Sequence, residues 1–191
     1  MRPDRLNAFT DGVVAVIITL MVLELHTPAS AEFDAVRPWL PLFGVYVLSF
    51  VNIGIFWNNH HHMMHAARKI DGRVLWANLG LLFWLSLVPL VIRWIDQTGM
   101  QPLPVASYGL VLLMAGAAYQ LIEVALAAAE GPDSMIAQAV GGRAKEWISI
   151  VCYFAGMALA WVSPLISIAL YVSVAATWLI PDKRFEQRLK Q

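Results

Sequence analysis

The chain holds a single cysteine, Cys152, among 191 residues. It sits in an apolar stretch, so neither a disulfide framework nor a cysteine-based metal motif is available to the chain. Charge is also scarce: Lys, Arg, Asp and Glu make up 14% of the residues, against about 25% in ordinary soluble domains. The formal net charge is zero, which removes any broad electrostatic argument for nucleic acid as a partner. There is no glycine-rich phosphate loop, no HExxH-like base beside the histidines, no internal repeat and no separate soluble domain. No catalytic centre, resident metal or cofactor is expected. What the chain has in excess is apolar surface, with 59% hydrophobic residues and a mean hydropathy of +0.64. That much apolar surface needs a solvent other than water, and lipid is that solvent.

A helix needs roughly 20 largely apolar residues to cross about 30 Å of hydrocarbon. Six runs meet this, at about 6–25, 40–64, 74–95, 104–129, 144–162 and 164–180. Breakers and charges fill the connections: Pro28 to Pro38, Arg68 to Arg73, Asp96 to Pro104, and Gly131 to Arg143. The run from Trp147 to Ile180 is divided only by Ser163-Pro164, but one helix of that length would reach roughly 50 Å, so two helices with a tight turn are expected. The first run follows Arg2 and Arg5 as a signal peptide would. However, it is long enough to span, contains Asp11, and is followed by His26-Thr27-Pro28 rather than a small-residue cleavage site.

Charge placement tests the count independently. With a cytoplasmic N-terminus, eleven of the 13 basic residues fall inside, and only Arg37 and Arg93 fall outside. The positive-inside rule then predicts an even number of spans with both termini in the cytoplasm. Trp39, Trp94, Trp147 and Trp178 fall near span ends, as an interfacial aromatic belt would place them. The expected class is an all-α integral membrane protein of six transmembrane helices, one domain over residues 1–191, in the cytoplasmic membrane.

Polar side chains inside a bilayer are costly and usually face protein or water. Arg5, Asp11 and Thr19 lie on the first span, Asn52 and the stretch Trp57 to His65 on the second, Asn78 on the third, and Gln120 and Glu123 on the fourth. Asp11, His60, His61 and Asn78 share one depth. Donors from His, Asn, Trp57 and Arg5 can satisfy a carboxylate there. The residues leave three readings open: a hydrogen-bond network that holds the bundle, a proton relay, or a metal site using the i, i+4 pair His61 and His65. The partner of Glu123 is not specified by the sequence.

Val16, Leu20 and Leu23 follow the i, i+4, i+7 pattern of one helical face, with Thr19 at its edge. Such stripes commonly contact other helices or lipid. Repeated around a symmetry axis, the same stripe becomes a hydrophobic constriction of the kind that gates by dewetting. Thr19 would then add a ring of hydroxyl oxygens.

Arg5-Leu6-Asn7-Ala8-Phe9-Thr10-Asp11-Gly12, continuing through Ala15, Thr19-Leu20 and Leu23-Glu24-Leu25, resembles the first-helix signature of the transmembrane protein 175 family of potassium channels. Thr10 stands where that signature usually has serine. Ser49-Phe50, Trp57-Asn58-Asn59-His60-His61, Leu75-Trp76-Ala77-Asn78 and Pro89 extend the likeness over roughly the first 95 residues. The resemblance implies a six-helix subunit that assembles as a homotetramer around a central pore and passes potassium. It implies a neck at Val16, Leu20 and Leu23 with Thr19 as the polar ring. Arg5, Phe9 and Asp11 would belong to a network fixing the first helix against Trp57, His60 and Asn78. Like the family, the chain lacks a Thr-Val-Gly-Tyr-Gly filter. Proton conduction through the same assembly is the alternative, and a membrane metal or redox protein built on His60 to His65 is the third.

Overall fold

A computed structural model describes residues 3–28, 30–131, 134 and 144–179. Arg2, Arg143 and the basic residues from Lys183 onward, which carry part of the charge asymmetry, lie outside this set, as does the last residue of the 164–180 span. The described residues form eight helices: α1 (Pro3–Leu23), α2 (Phe33–Val36), α3 (Leu40–Ala66), α4 (Gly72–Ser86), α5 (Val88–Thr98), α6 (Pro102–Glu130), α7 (Ala144–Leu159) and α8 (Pro164–Leu179).

The helix boundaries follow local chemistry. Pro41 lies in the first turn of α3, and Pro102 and Pro104 lie in the first turn of α6, where a missing N–H costs no intrahelical bond. Asp71 caps α4, its Oδ1 accepting from the backbone N–H groups of Arg73 at 2.9 Å and Val74 at 3.1 Å. α5 ends at Gly99, whose φ of 73° places it in the left-handed region that glycine adopts without penalty.

Among the described residues, four segments are long and apolar enough to cross a membrane: Pro3–Leu23, Leu40–Ala66, Gly72–Thr98 and Pro102–Glu130. The third corresponds to the expected span at 74–95, but it is interrupted at Leu87. Pro89 lacks the N–H that would bond the carbonyl of Leu85, so the chain breaks there into α4 and α5. α7 and α8 stand where the fifth and sixth spans were expected, separated at Ser163-Pro164. Each has 16 residues, or roughly 24 Å of helix, less than the other four.

α1 packs on α3, α4 and α5; α4 lies against α6; α6 continues to α7, and α7 to α8; and α8 returns to α3. The return is built around Tyr171 of α8, which is fully buried. Its ring centroid lies 5.9 Å from that of Tyr108 on α6 and 5.7 Å from that of Tyr153 on α7. Tyr108 exchanges a hydrogen bond of 2.9 Å with Ser49 of α3, and Ser167 donates to the carbonyl of Gly156 at 2.7 Å. Gly109 and Gly156 flank the Tyr171 ring so closely that a Cβ on either would overlap it. Trp178 turns inward and donates to Ser149 Oγ at 2.9 Å, so this ring is used within the bundle.

Glycine at these two helical positions forgoes about 0.8–1.0 kcal/mol of helix propensity relative to alanine. Overpacking a closed core costs about 1–3 kcal/mol, so the steric effect prevails. Gly109→Ala and Gly156→Ala are each expected to lower the thermal unfolding midpoint of the purified protein. Gly116→Ala, where the added Cβ meets nothing within 4 Å, is expected to leave it unchanged or raised.

Candidate functional site

Two faces of α1 have different surroundings. Leu6, Thr10, Val14, Ile17 and Met21 are buried, spaced so that each lies about one turn from the next on the side turned to α3, α4 and α5. The residues of the expected neck lie away from them: Val16 is 55% exposed, Leu20 45% and Leu23 76%. Thr19 is exposed as well, and its hydroxyl donates to the Val16 carbonyl at 2.8 Å. A hydroxyl that gives its proton back to its own helix keeps oxygen lone pairs available outward.

Polar contacts fix which face turns in. Asn78 of α4, fully buried, donates through Nδ2 to Thr10 Oγ1 at 3.0 Å. Its Oδ1 accepts from His60 Nε2 of α3 at 2.8 Å, which requires the proton on Nε2. Three helices thus meet at one carboxamide. Trp57 Nε1 donates to Asp11 Oδ1 at 2.8 Å, and the Trp57 ring stacks on His61 with centroids 5.7 Å apart. Asn7 Nδ2 contacts His61 Nδ1 at 3.3 Å. The buried acceptors Asn7 Oδ1 and His60 Nδ1 have no donor among the described residues.

At the other end of α1, Glu24 pairs with Arg93 of α5 at 3.6 Å. His26 contacts the Asp96 carboxylate, and Trp39 donates to the His26 carbonyl at 2.7 Å. These contacts hold the C-terminal end of α1 to α5 and to the start of α3.

Of the network implied by resemblance, Asp11, Trp57, His60 and Asn78 make these contacts, in two separate pieces. Arg5 and Phe9 do not: both are exposed, on the same side as Val16. The reason is periodicity. Positions 5, 9, 12 and 16 project to one side of a 3.6-residue helix, and positions 6, 10, 14 and 17 to another. The sequence reading did not give Thr10 and Asn7 their roles as partners. Thr10 was legible in principle, because it occupies a polar position on an otherwise apolar stripe running from Leu6 to Met21.

The histidines diverge. His60 turns to Asn78, while His61 and His65 meet edge to face at 4.3 Å between centroids. Among the described residues no three His, Cys, Asp or Glu side chains converge as a metal-ligand set, so the geometry gives the metal reading nothing to build on.

The segment carrying the α1 face and its anchors, residues 5–89, matches the family model described as endosomal/lysosomal potassium channel TMEM175. A protein of Chryseobacterium sp. (strain P1-3), named as a potassium channel, is 46% identical over 191 residues, spanning all of both chains. The chain belongs to the TMEM175 family. The family's fold extends past the matched segment. The crystal structure of a lysosomal potassium-selective channel TMEM175 homolog from Chamaesiphon minutus has a TM-score of 0.76 to this chain, at 21% identity, covering 93% of this chain and 96% of that one. A family member from Mus musculus, named as an endosomal/lysosomal proton channel, is 25% identical over 114 residues, covering 53% of this chain and 23% of its own length.

Interhelical hydrogen bonds in membrane proteins are worth about 0.6 kcal/mol on average and up to about 1.7 kcal/mol. Asn78 serves two such bonds. A double-mutant cycle of Thr10→Val and Asn78→Ala, read by unfolding of the detergent-solubilised protein, is therefore expected to give a coupling energy of about 0.6–1.7 kcal/mol. A cycle of Phe9→Ala with Asn78→Ala should give none within error.

Proposed function

We propose that the chain is the subunit of a potassium-permeable channel, in which copies of α1 meet around a shared axis and turn the Val16, Thr19, Leu20 and Leu23 face toward the conducted ion. The observation that carries this reading is the exposure of that face in a helix whose opposite side is locked to α3, α4 and α5. The name of the 46%-identical Chryseobacterium relative supports potassium as the ion. A homotetramer is the assembly the family resemblance implies.

The stripe from Val16 to Leu23 covers about 10 Å along the helix axis at 1.5 Å per residue. A ring of aliphatic side chains over that length holds back water when narrow and passes an ion only as it sheds hydration. The outward lone pairs of Thr19 offer replacement ligands at that step. Flux is passive and driven by the gradient and the membrane potential. The whole chain acts as one transmembrane domain, with α7 and α8 completing six crossings in the cytoplasmic membrane. The excess of basic residues in the segments expected on the same side of the membrane as the N-terminus, Arg68 to Arg73 and Arg143 to Lys145 among them, favours both termini in the cytoplasm.

Shortening the neck side chains tests the assignment. Leu20→Ala and Leu23→Ala in liposomes are expected to raise potassium flux several-fold over the unaltered protein. Flux unchanged in both would remove α1 from the axis.

A second reading is proton conduction through the same assembly. It is favoured by the buried Thr10–Asn78–His60 line and by the proton-channel name of the vertebrate relatives. Under potassium-free conditions with an impermeant organic cation, this reading expects a current whose reversal follows the pH gradient and falls in His60→Ala. A reversal that ignores pH would leave potassium alone.

A further inference from the structure

One face of the α4–α5 segment is left open by the other described helices. Trp76, Leu79, Phe83, Ser86, Leu90 and Trp94 follow one another at steps of three or four residues, and all are exposed. The Ser86 hydroxyl donates to the Phe83 carbonyl at 2.7 Å, so its proton is satisfied within the helix. The two tryptophans are 18 positions apart, which is about 27 Å of helix at 1.5 Å per residue. That height is close to the roughly 30 Å of hydrocarbon in a bilayer. Indole settles at the headgroup level, so an apolar stripe with a tryptophan at each end is the form of a lipid-facing surface. The outward face of α1 has no such boundary, because α1 contains no tryptophan.

Basic side chains gather at one end of this stripe. Arg73 lies one turn before Trp76, Arg68 and Lys69 lie in the turn between α3 and α4, and all three are exposed. Two carboxylates are near, and both are committed to backbone. Asp71 caps α4, and Glu130 accepts from the N–H groups of Arg68 and Lys69, the latter at 3.3 Å. Among the described residues, no side chain forms an ion pair with Arg68, Lys69 or Arg73. Three cations against two carboxylates leave this end positive, with side chains able to reach a phosphate. The other end differs, since Arg93 is already paired with Glu24.

We propose that the basic end of the α4–α5 face binds the headgroup of an anionic phospholipid, its phosphate at Arg68, Lys69 and Arg73 and an acyl chain along Leu79 and Phe83 beside Trp76. The site does not depend on which helix lines a pore, and neither does its test. The full-length protein is reconstituted in phosphatidylcholine vesicles holding a small fraction of brominated phosphatidylglycerol, or of brominated phosphatidylcholine with the same chains. Bromine quenches indole at contact, and the difference between the unaltered protein and Trp76→Phe isolates the Trp76 emission. Brominated phosphatidylglycerol is expected to quench that emission with an apparent affinity about fivefold or more above that of brominated phosphatidylcholine, the factor due to one basic side chain at an anionic surface. Arg68→Gln with Lys69→Gln and Arg73→Gln is expected to abolish the difference and to leave quenching by brominated phosphatidylcholine in place. Equal quenching by the two lipids, or a preference that survives the triple substitution, would overturn the proposal. So would Trp76 emission that neither lipid quenches, which would mark the face as a contact between copies of the chain. If the triple variant does not reconstitute, Arg68→Gln with Lys69→Gln, both outside the helices, decides in its place, and an undiminished preference there is equally fatal.

Discussion

The rotational setting of α1 depends on one buried carboxamide. α1 is apolar on both faces, and in lipid an apolar helix gains nothing by turning one greasy side inward rather than another. Asn78 removes that freedom. Its oxygen is held by His60 of α3 while its N–H donates to Thr10, so any other setting of α1 would leave the Thr10 hydroxyl and the Asn78 amide N–H unpaired in a medium that offers no substitute. The Trp57–Asp11 bond and the Glu24–Arg93 pair hold the helix at two further heights. With the Leu6-to-Met21 stripe committed to the bundle, Val16, Leu20 and Leu23 are left outward by geometry alone.

This division places Asn7, Thr10 and Asp11 of the signature toward the neighbouring helices, where their contacts orient α1. Thr19 lies outward, and its hydrogen bond to the Val16 carbonyl satisfies its proton without using its lone pairs. Arg5 and Phe9 share the outward side, so they belong with the face rather than with the anchors.

The second half of the chain is held by different means. Gly109 and Gly156 give Tyr171 a slot between α6 and α7, and the Ser49–Tyr108 bond ties that aromatic group to α3. Small residues that admit a large one let helices approach without relying on a hydrophobic force that lipid does not supply. The same four helices leave space beside Gly116, so the bundle is tight at one level and open at another.

Composition and hydropathy by themselves pointed to a helical membrane protein, because continuous apolar runs of about 20 residues satisfy their backbone in lipid as helices, whereas barrel strands are shorter and alternate. Proline and glycine positions marked most of the breaks, including Ser163-Pro164, since a missing donor acts locally, but the break before Pro89 falls inside a span expected to run unbroken over 74–95. The first-helix signature was legible for the same reason: its residues are close in sequence. What the tertiary structure decided was every relation between distant segments. The Asn78 junction joins positions 68 and 18 residues apart, and periodicity separates the side of α1 that holds Thr10 from the side that holds Arg5 and Phe9 without saying which of the two meets a neighbouring helix. The seat of Tyr171 against Gly109 and Gly156 is likewise a product of packing. Spacing along a chain fixes which side chains share a helical face, but only the neighbouring helices determine what that face meets.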